Sequence, residues 1–120
     1  MPKILVVDDS GYTRMMIKDA IGIDGHTDVE EASSGEEAIK KAKALKPALI
    51  LLDLILVGKG GMEVLAEVKK TQPKTKVIVI SAVGQQSYLK KATDLGADAY
   101  LVKPVGAKEI RTKVKQILGK

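Results

Sequence analysis

Leu49-Ile50-Leu51-Leu52-Asp53 is the stretch that decides the fold. Four large apolar residues stand in a row with no polar alternation, and a carboxylate follows. A run of this kind is what a parallel strand buried on both faces looks like. Three more runs repeat the pattern. Ile4-Leu5-Val6-Val7 leads into Asp8-Asp9, Val77-Ile78-Val79-Ile80 into Ser81, and Ala99-Tyr100-Leu101-Val102 into Lys103-Pro104. Stretches of helical period lie between the runs. Alternation of this sort implies βαβ units with right-handed crossovers.

The spacing predicts strands over 3–7, 27–31, 48–53, 76–80 and 98–102. The second, Thr27-Asp28-Val29-Glu30-Glu31, is mostly polar. It belongs at a sheet edge, where charges discourage pairing with other chains. A polar second strand and five βα units give an α/β fold: a doubly wound, five-stranded parallel sheet of order 2-1-3-4-5, flavodoxin-like (βα)5. Strands 1 and 3 are then central neighbours, and ligands of such sheets bind outside the strands' carboxyl ends where the winding reverses. Asp8, Asp9 and Asp53 stand there.

Helices are expected over about 12–21, from Ser34, from Gly61, over about 85–95 and over 107–118. The first turns Met16, Ile17, Ala20 and Ile21 inward, and Gly22 and Gly25 end it. Ser34-Gly35-Glu36-Glu37 reads as a reciprocal capping box, followed by the apolar face Ala38, Ile39, Ala42 and Leu45, with Pro47 preventing continuation. The third buries Val64, Leu65 and Val68. Gly96 fits the position just past a helix end. Ile110, Val114, Ile117 and Leu118 form the stripe of the last helix. Met15, Met16 and Met62 read as core filler, and His26 as a solvated loop residue.

The 120 residues suit one domain over 1–120. There is no apolar stretch long enough to span a membrane, and Met-Pro-Lys runs straight into a strand without a signal-peptide pattern. Cysteine is absent, so disulfides and thiolate metal sites are excluded. The expected setting is cytoplasmic. Net charge is +5, but the chain has three Tyr and neither Phe nor Trp. Readers of single strands stack bases on aromatics, and here Glu is interspersed with the Lys residues. No nucleic acid and no membrane partner is expected.

Three carboxylates a few ångströms apart need positive charge beside them. Mg²⁺ answers that need with hard oxygen ligands. Lys103 supplies a compact ammonium and Ser81 a hydroxyl, both suited to phosphoryl oxygens. A carboxylate is a competent nucleophile toward phosphorus, and Asp53, alone at the end of the central strand, is the candidate.

These motifs, in this order and at these spacings, resemble the receiver domain of two-component response regulators. Arg14-Met15-Met16 and Ser81-Ala82-Val83-Gly84-Gln85-Gln86 are similar to stand-alone chemotaxis members in particular. The resemblance implies a protein that a histidine kinase phosphorylates on Asp53. It implies Mg²⁺ ligated directly by Asp9, through water by Asp8, and by the backbone carbonyl of Ile55, with Asp53 also in the metal-binding set. Ser81 and Lys103 would contact the phosphoryl group, making Asp53, Ser81 and Lys103 the catalytic set. Ser81 and Tyr100 would form the switch, with Tyr100 turning inward, and the Lys103-Pro104 bond would be cis.

The implied output is a protein target on the fourth helix, fifth strand and fifth helix, where Lys90, Lys91, Lys108, Arg111, Lys113 and Lys115 suggest a basic face. A monomer is expected, and no enzyme activity beyond self-catalysed phosphorylation and dephosphorylation of Asp53.

One loop departs from the family pattern. Val57-Gly58-Lys59-Gly60-Gly61 has Val57 where Pro is common and Gly60 where Asp is common. Its glycines suggest flexibility, and Lys59 a positive charge near the pocket. A pseudo-receiver acting as a constitutive interaction module and a phosphorelay intermediate are the alternatives. An aspartate-nucleophile phosphatase fits less well, since Ile55 stands where its general acid would be.

Overall fold

The computed structural model describes residues 2–56 and 58–119. The strands are β1 (Ile4–Val7), β2 (Val29–Ala32), β3 (Leu49–Leu52), β4 (Lys76–Ser81) and β5 (Ala99–Val102). The helices are α1 (Gly11–Gly22), α2 (Gly35–Leu45), α3 (Gly61–Thr71), α4 (Gln86–Asp94) and α5 (Ala107–Leu118). All pairings are parallel and the order is β2-β1-β3-β4-β5, as the sequence pattern requires.

The continuous apolar runs have a direct cause. Side chains alternate between the two faces of a strand, and both faces are covered. Leu5, Val7, Ile50, Leu52, Val77 and Val79 pack with α2, α3 and α4 through Ala38, Ala42, Val64, Leu65, Val68 and Ala92. Ile4, Val6, Leu49, Leu51, Ile78, Ile80 and Leu101 pack with α1 and α5 through Ile17, Ile21, Ile110 and Val114.

Several local expectations shift. Strand β2 starts two residues later than the polar pattern suggested and ends on Ala32, which is buried. Strand β3 ends at Leu52, yet the Asp53 N–H still bonds the Val7 carbonyl at 3.0 Å. Helix α2 is capped by Ser34, whose Oγ accepts from the Glu37 N–H at 3.2 Å. The reciprocal half of the box goes elsewhere: the Glu37 carboxylate accepts from the N–H and hydroxyl of Ser33, at 2.7 and 3.1 Å. The helix leaves through Lys46 at φ 47°, a left-handed residue that is not glycine.

Two burial expectations are corrected. Met15 is 53% exposed because it falls on the outer face of α1, whereas Ile17 and Ile21 face the sheet. His26 is buried, not solvated, since its N–H bonds the Ile21 carbonyl and folds the turn back against α1. No helix among the described residues is long and apolar enough to cross a membrane.

Candidate functional site

Parallel register brings the polar strand ends together. Val7 pairs with Leu52, and Leu52 with Val79. Asp8 and Asp53 therefore emerge level with each other, and Ser81 one residue further along β4, at one sheet edge. Lys103 joins them because its N–H bonds the Ser81 carbonyl at 2.8 Å, beyond the end of β5. The Lys103-Pro104 peptide is cis, as expected.

Asp8 is buried and fully engaged. Its Oδ1 accepts from the Ser10 N–H at 2.9 Å and its Oδ2 from Lys103 Nζ at 2.7 Å. Asp53 is also buried, with Oδ1 accepting from the Ile55 N–H at 3.1 Å and Oδ2 from Lys103 Nζ at 3.1 Å. Asp9 lies at the surface. One carboxylate oxygen from each of Asp8, Asp9 and Asp53 lies within 4.8 Å of the others.

The electrostatics follow from this crowding. Burial pushes the Asp53 carboxyl above its ordinary range; the Ile55 N–H and Lys103 oppose that, and the Asp8 charge adds to it. Burial alone would lower Lys103, but its bond to Asp8 and the attraction of Asp53 outweigh this, so its pKa is raised. Lys103 is thus a firmly charged ammonium.

The hydroxyl side is organised around one residue. Ser81 is fully buried and its Oγ accepts from the Val83 N–H at 3.3 Å. The Tyr100 hydroxyl donates to the Val83 carbonyl. Both switch candidates therefore hold Val83, one at each of its backbone polar groups. Ile55 stands at the rim, 57% exposed.

Of the unusual loop, Val57 lies outside the described residues. In the rest of the loop the Lys59 N–H donates to both Glu36 carboxylate oxygens, at 3.2 and 3.1 Å, and the Gly61 N–H to the Leu54 carbonyl at 3.0 Å. Gly61 sits so close to the chain leaving β3 that a Cβ there would fall 2.4 Å from the Asp53 carbonyl oxygen. Among the described residues, Lys103 is the cation that pairs with the pocket's carboxylates.

The expected basic face is smaller than its sequence suggests. Arg111 makes a two-pronged pair with Asp24 at 3.0 and 3.1 Å, and Lys115 lies 3.8 Å from the same carboxylate. Both turn toward the end of α1. Lys90 pairs with Asp94 at 3.0 Å, and Lys91, Lys108 and Lys113 remain without an ion pair among the described residues.

Sequence reasoning missed Val83 as the shared partner of Ser81 and Tyr100, since backbone groups leave no trace in side-chain chemistry. It also missed the link from Arg14 to Glu31 at 2.8 Å. Arg14 and Glu31 are far apart in the chain, and only the pairing of β1 with β2 makes them neighbours.

The chain belongs to the response regulator receiver domain family, whose model matches residues 4–115. Its strand order is that of CheY, a doubly wound sheet in which ligands bind where the winding reverses. The chain is 39% identical over 102 residues to the chemotaxis protein CheY of Thermotoga maritima, covering 85% of each sequence. It is 35% identical over 116 residues to the CheY of Bacillus subtilis, covering 97% of each. The crystal structure of a CheY-like receiver domain protein from Methanospirillum hungatei superposes with a TM-score of 0.94 at 28% identity, covering 99% of this chain and 94% of that one.

Proposed function

We propose that this receiver domain accepts a phosphoryl group on Asp53 from the phosphohistidine of a histidine kinase and then presents an altered surface to a protein target. The observation that carries the reading is the position of Lys103 Nζ between Asp8 Oδ2 and Asp53 Oδ2. An ammonium already bonded to the nucleophile is placed to follow the charge onto a phosphoryl oxygen.

In the transfer, an Asp53 oxygen forms a bond to phosphorus as the phosphorus–nitrogen bond of the donor breaks. The imidazole leaves with the electron pair and takes up a proton. The Ile55 N–H holds the other carboxylate oxygen and so fixes which one faces the donor. Ser81 can donate its hydroxyl proton to the phosphoryl group, its oxygen being engaged by Val83 as an acceptor.

The donor set suits Mg²⁺: carboxylate oxygens, one of them on the exposed Asp9, gathered within 4.8 Å. Asp8, Asp9, Asp53 and the Ile55 carbonyl would hold it. When bound it neutralises the carboxylates and the phosphoryl oxygens.

The target is proposed to dock on α4, β5 and α5, where Tyr88 and Val102 are exposed apolar residues. Lys91, Lys108 and Lys113 favour an acidic partner whose binding weakens with salt. The names of the CheY relatives support a chemotaxis pathway, with a phosphorelay step as the alternative. A cytoplasmic monomer with no catalysis on a separate substrate completes the reading.

Incubation with a phosphorylated histidine kinase or acetyl phosphate, in the presence of Mg²⁺, tests it on a phosphate-affinity gel. The unaltered chain should form one retarded band and Asp53→Asn none. Equal labelling of the two would overturn the assignment.

A further inference from the structure

The exposed carboxylate of the site, Asp9, has no side-chain hydrogen bond among the described residues to hold it. Its backbone is held instead, from a distance. Arg14, one turn into α1, donates from Nη1 to the Asp8 carbonyl oxygen at 2.6 Å. That oxygen, the Asp9 nitrogen and the Asp9 Cα lie in one peptide plane. Fixing the carbonyl therefore fixes the position of the Asp9 Cα, the point from which its side chain starts.

Arg14 is itself fixed. Its Nε donates to Glu31 Oε1 at 2.8 Å, and Lys18 Nζ donates to Glu31 Oε2 at 3.0 Å. Lys41 bonds the Glu31 carbonyl. Glu31 stands on the edge strand β2, paired in register with Val6 of β1. Its carboxyl is held below the usual range by the Arg14 and Lys18 hydrogen bonds, so it is a charged anchor. The Arg14 side chain is 19% exposed, enough out of water for the geometry to matter.

We infer that Arg14, braced by Glu31, is a positioning residue for the cation site, acting on Asp9 through the Asp8–Asp9 peptide. The inference rests on the Mg²⁺ reading proposed above. The planar guanidinium donates to the Glu31 carboxylate from Nε and to the Asp8 carbonyl from Nη1, two separate atoms held in a rigid fork that the single nitrogen of an ammonium does not reproduce. A plain charge would do something different. A cation beside a cation site repels the ion, so removing Arg14 should tighten Mg²⁺ if charge were its whole contribution. A positioning role predicts the opposite sign.

Isothermal titration of the whole protein with Mg²⁺ reads that sign. Arg14→Ala should weaken binding about tenfold, as losses of supporting contacts around metal ligands do. Equal or tighter binding overturns the inference. Arg14→Lys keeps the charge and should still bind several-fold more weakly; wild-type affinity would refute the need for a fork. If Arg14→Ala does not give a cooperative melt, Glu31→Gln carries the test. It leaves Arg14 in place, frees one end of the brace and should weaken Mg²⁺ several-fold, whereas an unchanged affinity counts against the brace. The Asp9 amide resonance without metal gives a second readout. It should shift or broaden in Arg14→Ala, and identity with the unaltered protein refutes the brace. If the unaltered protein takes up no Mg²⁺, the metal reading fails, and the metal-free resonance still decides whether Arg14 sets Asp9.

Discussion

Lys103 Nζ stands 2.7 Å from Asp8 and 3.1 Å from Asp53, so one ammonium is shared unequally by two buried carboxylates. Asp53 has the longer bond. Asp53 is thus the less compensated of the two, and its carboxyl is raised by burial and by the neighbouring Asp8 charge despite Lys103.

A stability prediction follows with a definite sign. Asp53 is an acid whose folded pKa lies above its unfolded value. Between the two values the folded state holds more protons, so stability falls as pH rises through that window and the deficit is complete above it. Asp53→Asn carries no charge at any pH. Without Mg²⁺ it should melt higher than the unaltered protein at neutral pH. The gap should close as pH falls toward the ordinary carboxylate value of 3.8. Calorimetry across that range checks this, and a gap independent of pH would assign the effect to something other than charge.

Removing the ammonium should have the reverse consequence. Lys103→Ala leaves Asp8 and Asp53 facing each other without a counter-charge. A cost of about 2–3 kcal/mol is expected, somewhat below that of breaking a fully buried pair, because the Lys103 side chain stays 24% exposed. Mg²⁺ should restore part of the loss, since the pocket has become more negative and a ligand of the folded state stabilises it. Urea unfolding with and without the ion measures both effects. A loss under about 0.5 kcal/mol would mean that the pair behaves as a surface contact.

Asp9 makes the complementary prediction. It has the exposed carboxylate of the cluster. Mg²⁺ at a hundredfold excess over its dissociation constant should stabilise the unaltered protein by about 2.7 kcal/mol, and Asp9→Ala should remove most of this. The same melting temperature with and without Mg²⁺ in the unaltered chain would reject the cation site.

The fold was legible because Leu49–Leu52 and its sister runs are buried on both faces, and hydrophobic continuity records that directly. Asp8, Asp53, Ser81 and Lys103 were legible for the same reason, since each ends such a run. Asp9 follows as a neighbour. Less legible was whatever depends on one backbone group meeting another element. The Glu37 carboxylate chooses Ser33 over Ser34, Lys59 is held by Glu36 through its amide, and Arg14 reaches the Asp8 carbonyl. Lysine on α5 reads as a basic stripe, yet Asp24 draws Arg111 and Lys115 aside, a contact set by how α1 lies against α5.

Val83 gives the switch a testable part. Ser81 holds its N–H and Tyr100 its carbonyl, so a Ser81 drawn toward a phosphoryl group must release or carry Val83. Binding of beryllofluoride, which mimics a phosphoryl group on Asp53, should shift resonances across residues 82–105 as well as near Asp53. Tyr100→Phe keeps the ring but drops the bond to Val83. Amide exchange around residues 82–85 should quicken, and the shifts beyond Val83 should shrink. Shifts confined to the neighbours of Asp53 in the unaltered protein would argue that no such coupling exists.

In the proposed phosphorylated state, two apolar side chains are expected to set the lifetime of the phosphoryl group. Hydrolysis needs a water opposite the bond from Asp53 to phosphorus, with attacking and leaving oxygens roughly in line. In receivers the residues two beyond the aspartate and two beyond the hydroxyl residue flank that approach; here they are Ile55 and Val83. Ile55 is 57% exposed at the rim, where a polar side chain could hold a water and an isoleucine cannot. Val83 is partly buried, with its N–H and carbonyl already engaged by Ser81 and Tyr100, so its backbone offers little to an incoming water. Phosphorylated protein should therefore persist for many minutes to hours after the donor is removed. The double variant Ile55→Asn/Val83→Glu should decay faster, because an amide and a carboxylate can orient the attacking water. Decay is followed on a phosphate-affinity gel. Loss of the band from the unaltered protein within seconds, or an unchanged rate in the double variant, would show that these side chains do not control access to phosphorus.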